Sequence, residues 1–380
     1  MRMLLCLWIA SGLLGGCTLS RKPETGSRHG MENSYTEYAT RFNVMEMDGY
    51  QLLQVFDPWQ NSRNTTYTYI LGTNPGLVPD SLADLPFIQT PVKRVVTMST
   101  THVAMISQLG MNHTIRGASG TGFIYDSLVR ERIDAGLVQE VGYDQGLNYE
   151  AIVALDPDVV FLYGVEGNVT TASEKLNEMG IRVVYCAEYL ETHPLGKAEW
   201  IRFFAQFYHL EKESVRFFNQ VDSSYRQLVA SASGQEERPG VMIGLPWKDT
   251  WYLAGGQSFA SRLITDAGGA YLWKDNPSTE AIPMDLESVY SRAVMADVWI
   301  NPGVANTLEE LIRYDDRFRE LPVLERGEVY NNNARMGREG GNDYWESGTV
   351  RPDLILADLI SVFHPELLAD HSMFYYRKLK

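Results

Sequence analysis

Two stretches of this 380-residue chain gather side chains able to grip an organic anion. One runs from Asn333 to Glu346 and holds Arg335, Arg338, Tyr344 and Trp345 among three glycines, with no helical or strand periodicity. A long structureless loop in a compact domain is usually functional. The other holds Pro246, Trp247, Lys248, Trp251 and Tyr252. Trp and Tyr faces offer stacking area, and Arg335 and Arg338 can pair carboxylates in bidentate fashion. The combination suits a planar or bulky ligand carrying negative charge. Earlier in the chain, Ser99, Thr100, Thr101, the run Gly117 to Phe123 and the run Tyr163 to Asn168 are the matching candidates, because each follows a predicted strand. Alternatives stay open: Trp247 and Trp251 as packing residues, Arg335 and Arg338 as solvated or paired with Glu339 and Asp343, Ser99 and Thr100 as helix caps.

Other chemistry is poorly supplied. The seven histidines (His29, His102, His113, His193, His209, His364 and His371) form no H-x-H, H-E-x-x-H or His-rich loop. A bare zinc or manganese site needs clustered His and carboxylates, so no metal site is expected. His102 lies near a strand end, where it can ligate an iron or cobalt centre or simply pack and cap. Cys6 and Cys17 belong to an apolar leader, and Cys186, within Val183 to Ala187, reads as a buried strand thiol. No disulfide framework and no Cys-based zinc site follows. The chain has no G-x-S-x-G, no P-loop and no G-x-G-x-x-G after a strand, so neither an enzyme nor a cofactor is expected. With 33 Lys plus Arg against 48 Asp plus Glu, the net charge of −15 argues against a nucleic-acid partner.

The elements that must position these residues are legible in outline. Residues 40–92 are a β-rich extension, with a hairpin signal at Asp48-Gly49 between alternating runs and a Pro-rich connective stretch from residue 73. Residues 93–194 alternate strands and helices: strand 94–98, a helix capped by Ser99 to Thr101, a helix from Asn148 stopped at Asp156-Pro157, strand 159–162, helix 172–179 and strand 181–186. Residues 195–235 read as one long helix, with Trp200, Phe203, Phe204 and Phe207 at three- and four-residue steps. A second ladder fills 236–380. The two ladders echo each other: Asn148-Tyr149-Glu150 opens a helix leading to the strand after Asp158, and Asp285-Leu286-Glu287 opens one leading to the strand after Asp297. The expected fold is α/β, with two lobes, each around a mainly parallel sheet, bridged by one long α-helix, and an extra N-terminal β-rich segment. Two lobes make a cleft, where small ligands bind.

The first 17 residues read as a signal peptide: Arg2, an apolar run from Met3 to Leu14 too short to span a bilayer, then Leu14-Gly15-Gly16-Cys17. That ending resembles the lipobox of bacterial lipoproteins, whose cysteine becomes the first mature residue and carries lipid. Residues 18–39 read as a flexible tether.

From Asn148 to Asp158 the chain resembles the N-[LY]-E-x-I-[VL]-x-L-x-P-D stretch of periplasmic substrate-binding proteins of ABC importers, in the group for iron chelates, haem and cobalamin. Weaker echoes are the strand, Ser and helix at 94–110, Ala267-Gly268-Gly269, and the aromatic-acidic loop near the C-terminus. The resemblance covers about 93–380 and leaves 40–92 unexplained. It implies capture of an iron chelate (siderophore or haem) in the cleft and delivery to a permease dimer with a cytoplasmic ATPase. Cobalamin is the alternative cargo; an enzyme acting on a metal chelate and a structural lipoprotein are readings from other classes. It also implies that Glu150 and Glu287, one per lobe, dock on permease arginines, although both also complement helix N-terminal dipoles. The expected place is the bacterial cell envelope, in the periplasm, on a lipid anchor.

Overall fold

A computed structural model describes residues 35–143, 146–164 and 168–380; the signal peptide, Cys17, the tether as far as residue 34 and residues 165–167 of the first-lobe loop lie outside the described residues. Strands β1 (Phe42–Glu46) and β2 (Tyr50–Phe56) pair antiparallel and turn at Asp48-Gly49, where Gly49 takes φ +86. β3 (Thr66–Gly72) continues the meander, and β4 (Phe87–Gln89) joins it in parallel, inside the stretch read as connective. This sheet is packed onto the first lobe and the start of the helical bridge. The Tyr69 hydroxyl accepts the Tyr185 N–H at 3.1 Å, and Phe42 meets the Trp200 ring at 4.9 Å.

The last five residues assigned to the tether are not loose. The buried Glu199 carboxylate accepts the N–H groups of Glu37, Tyr38 and Ala39, each at 2.8 Å. Glu191 accepts those of Thr40 and Arg41, and the Tyr38 hydroxyl donates to Asp222 at 2.7 Å. Buried carboxylates saturated with donors pin a backbone strongly, because neither side can be removed without orphaning the other.

The first lobe runs β5 (Val95–Thr97), α1 (Thr100–Gln108), β6 (Ile115–Ala118), α2 (Ser127–Asp134), β7 (Gln139–Glu140), α3 (Tyr149–Leu155), β8 (Val159–Leu162), α4 (Asn168–Glu178) and β9 (Val183–Tyr185). Its sheet is wholly parallel, in the order β7-β6-β5-β8-β9. Val95, Val96, Val159, Val160, Phe161 and Val184 are fully buried, as strands covered on both faces require. Ser99 and Asn148 cap α1 and α3, as their sequence positions predict.

The bridge differs from the single helix expected. It is α5 (Pro194–Glu199), α6 (Ile201–Gln206) and the long α7 (Glu211–Ser233). The chain breaks at His209, which takes φ +57 and meets the Thr90 hydroxyl at 2.8 Å. Trp200, Phe203, Phe204 and Phe207 are fully buried, each worth about 1.5–3 kcal/mol in apolar burial. One straight helix cannot bury that crowded ring set and also keep the polar face of α7 in water. The break lets α6 pack on both α1 and α7.

The second lobe runs β10 (Gly240–Ile243), β11 (Thr250–Ala254), α8 (Phe259–Asp266), β12 (Ala270–Tyr271), β13 (Ala281–Asp285), α9 (Leu286–Ala293), β14 (Val298–Ile300), α10 (Leu308–Tyr314), α11 (Pro322–Glu325), β15 (Val329–Asn331), α12 (Pro352–Phe363) and β16 (Arg377–Lys378). Its main sheet has the order β12-β10-β14-β15-β16, parallel except at β16, while β11 and β13 form a separate antiparallel pair. The echo between the ladders is structural. Asp158 Oδ2 accepts the Lys93 and Arg94 N–H groups at the start of β5, and Asp297 Oδ2 accepts the Gly240 N–H at the start of β10. In each lobe an aspartate ahead of the second central strand thus ties down the first.

Candidate functional site

In each lobe the strand order reverses beside the first strand, between β5 and β8 and between β10 and β14. Open α/β sheets bind ligands at such switch points, outside the carboxyl ends of the strands. Thr100 and Tyr163 sit at the first, both half-buried, with the Tyr163 ring edge-on to His102 at 6.3 Å and to Tyr189 at 6.0 Å. Ser99 acts as the α1 cap, accepting the Thr101 N–H. At the second, Trp247 is 67% exposed on a tight turn that it closes with Thr250 by two backbone hydrogen bonds, with Lys248 at φ +55.

Two aromatics of the predicted ligand set are in the core. Trp251 is not on a loop but inside β11, where side chains alternate: Trp251 and Leu253 point inward and Tyr252 outward, 54% exposed. Trp251 packs against Trp299 and Phe318 and donates its indole N–H to the Ile243 carbonyl at 3.1 Å, so it is a packing residue. Tyr344 is buried edge-on against Tyr375 and Tyr376, while the adjacent Trp345 is 57% exposed. Arg335 pairs with Asp343, and its guanidinium lies 4.2 Å from the Phe374 ring centroid; Arg338 is exposed. Arg335 therefore follows the alternative of internal pairing. Trp247, Tyr252, Arg338 and Trp345 are the second-lobe members left facing solvent.

The loop from Asn333 to Glu346 also does something its sequence did not reveal: it clasps the first lobe. The Glu346 carboxylate, 2% exposed, accepts the N–H groups of Tyr125 and Asp126, both at 2.7 Å. Arg130 pairs with Glu339 at 3.5 Å, and a Cβ on Gly341 would fall 2.3 Å from the Phe123 carbonyl oxygen, so that approach requires glycine. Exposed Phe123 and Tyr143 flank Gly120 at the end of the β6 and β7 strands and add aromatic surface on the first-lobe side.

Burial pushes the Glu346 carboxyl up to about 8; its two backbone donors oppose this and the nearby Asp126 and Asp343 add to it. The folded state therefore holds a proton that the unfolded chain has released. This contribution is complete below about pH 4 and is lost as pH rises through 8, on the order of 3–5 kcal/mol in all. Glu346→Gln is expected to remove that slope. Urea unfolding of both proteins at pH 5 and pH 8.5 checks it, and parallel slopes would refute the assignment.

Glu150 and Glu287 are exposed in the first turns of α3 and α9, the helices that precede β8 and β14. They occupy equivalent places in the two lobes. Among the described residues, His102, Cys186 and Glu188 form a group with metal-ligating side chains, which the histidine spacing did not foretell.

Two parallel α/β lobes, a helical bridge and strand-end loops brought against one another define a two-lobed solute-binding protein. The family described as periplasmic binding protein matches residues 95–335, and the chain belongs to that family. It is a family of substrate-binding proteins, not enzymes. An uncharacterized lipoprotein of Methanocaldococcus jannaschii is 27% identical over 316 residues, covering 80% of this chain and 73% of that one. A possible iron-binding (periplasmic solute-binding) protein from Staphylococcus epidermidis superposes with a TM-score of 0.56 at 16% identity, covering 72% of this chain and 99% of that one. The periplasmic heme-binding protein RhuT from Roseiflexus does so with a TM-score of 0.54 at 18% identity, covering 72% and 99%.

Proposed function

We propose that this protein is the substrate-binding component of an ABC importer, capturing an iron chelate (siderophore or haem) between its lobes and delivering it to an inner-membrane permease dimer with a cytoplasmic ATPase. One observation carries the reading: Trp247, Tyr252, Trp345 and Arg338 are exposed on loops and on β11 of the second lobe, and half-buried Thr100 and Tyr163 follow strands β5 and β8 of the first. Exposed aromatic faces and an exposed guanidinium suit a bulky chelate bearing carboxylates. The iron and haem named for two proteins of the same fold set the order in which cargoes are tried. Leu14-Gly15-Gly16-Cys17 and the lipoprotein name of a relative support lipid attachment at Cys17, hence an envelope protein held at the membrane. Among the described residues, no helix is long and apolar enough to cross a membrane.

Tryptophan fluorescence titrated with ferric siderophores, haem and cobalamin tests the cargo. Saturable quenching by an iron chelate is expected, with Trp247→Ala weakening it roughly tenfold. Quenching by cobalamin alone would change the cargo, and silence with all three would defeat the proposal.

A further inference from the structure

Three side chains that neither the cargo reading nor the fold employs converge beneath the first-lobe switch point. His102 lies in the first turn of α1, Cys186 directly follows β9, and Glu188 is two residues further on. All three are buried, and one donor atom from each falls within 4.8 Å of the others. His102 Nε2 pairs with Glu188 Oε1 at 3.4 Å, while His102 Nδ1 and Glu188 Oε2 have no hydrogen-bond partner among the described residues. Buried polar atoms left unpaired are costly and call for an explanation.

The surroundings are ordered as a metal's outer shell would be. The Thr101 hydroxyl donates to Glu188 Oε1 at 2.7 Å and is itself 2.7 Å from the Ser99 hydroxyl. One carboxylate oxygen is thus oriented while the other is left open, the way outer groups hold a first-row ligand. Thr101 and Tyr163, which border the cluster, are only half-buried. Lys197, whose ammonium interacts with Glu188 and Glu191, is the competing cation.

We infer that His102, Cys186 and Glu188 form a site for a single thiophilic divalent cation of the zinc class. Imidazole nitrogen, thiolate sulfur and carboxylate oxygen are the donor set such an ion takes, whereas magnesium and calcium select oxygen alone. Binding replaces the Cys186 thiol proton, which leaves to solvent, with a metal–sulfur bond. Three protein donors leave one position of a tetrahedron for water or a small anion. The site stands independently of the cargo, since a chelate-binding failure would leave it untouched.

Cobalt titration of the metal-stripped full chain tests it. One equivalent is expected to raise a thiolate-to-cobalt charge-transfer band, which one equivalent of zinc abolishes. Cys186→Ser is expected to lose the band, which separates Cys186 from Cys6 and Cys17, and Glu188→Gln to weaken cobalt binding at least tenfold. Circular dichroism verifies that each variant is folded. No stoichiometric band in the unmodified protein overturns the site whatever the variants do, and so does a band that survives in folded Cys186→Ser.

Discussion

The double variant Glu150→Ala, Glu287→Ala is expected to bind its chelate with unchanged affinity and to lose uptake. Both carboxylates are exposed, each in the first turn of a helix that leads to the second central strand of its lobe. The aspartates ahead of those strands each accept a backbone N–H at the start of the lobe's first strand, so the two glutamates occupy matching places in two copies of one design. On the proposed docking to a two-fold permease, each glutamate would meet one of two equivalent basic patches, and paired exposed charges fix orientation and encounter rate more than affinity. Alanine removes only a helix-dipole contribution of about 0.3–1 kcal/mol from each helix, too little to unfold either lobe. Ligand titration alongside uptake into proteoliposomes containing the transporter separates the outcomes. Weakened ligand binding, or uptake at the original rate, would remove the docking role.

The largest stability effect is expected at Asp358. This fully buried carboxylate on α12 accepts the N–H groups of Phe374, Tyr375 and Tyr376 at 2.6–3.1 Å and meets His371 Nε2 at 2.7 Å. It fastens the chain's last segment, and with it the two tyrosines on which Tyr344 rests. Asp358→Ala leaves these donors without an acceptor, at a cost of about 3–5 kcal/mol. Asp358→Asn keeps one acceptor oxygen and should lose less. Urea midpoints measure both, and a loss below about 1 kcal/mol for alanine would show that water replaces the carboxylate.

Much of the scaffold was legible because its signals are local. Asn148 starts α3, Asp156-Pro157 ends it, and the Val and Phe run of β8 follows within a few residues. Signals weaken where the pattern is short or lacks punctuation. β11 alternates over five residues next to a tight turn, so Trp251 and Tyr252 read as loop aromatics. The helix break at His209 has no glycine or proline to announce it, because its cause is the burial of rings several turns apart. The site contained two further surprises, and both are tertiary. Glu346 finds its backbone partners about 220 residues away, and the thiol of Cys186 meets His102 only after β5 and β9 join one sheet. No spacing rule reaches across such distances, whereas the exposed Trp247 and Trp345 lie on stretches that the local pattern already marked as loops.

The β-rich extension has a practical corollary for anyone who trims the gene to residues 95–335, the stretch the family pattern covers. Such a cut discards Phe42 and Tyr69 from over Trp200 and Tyr185, and α12, whose Phe363 closes against Gly269. The shortened polypeptide would present oily faces on both halves and collect in the insoluble fraction. What looks like ornament at the two ends is the lining that makes the middle a protein.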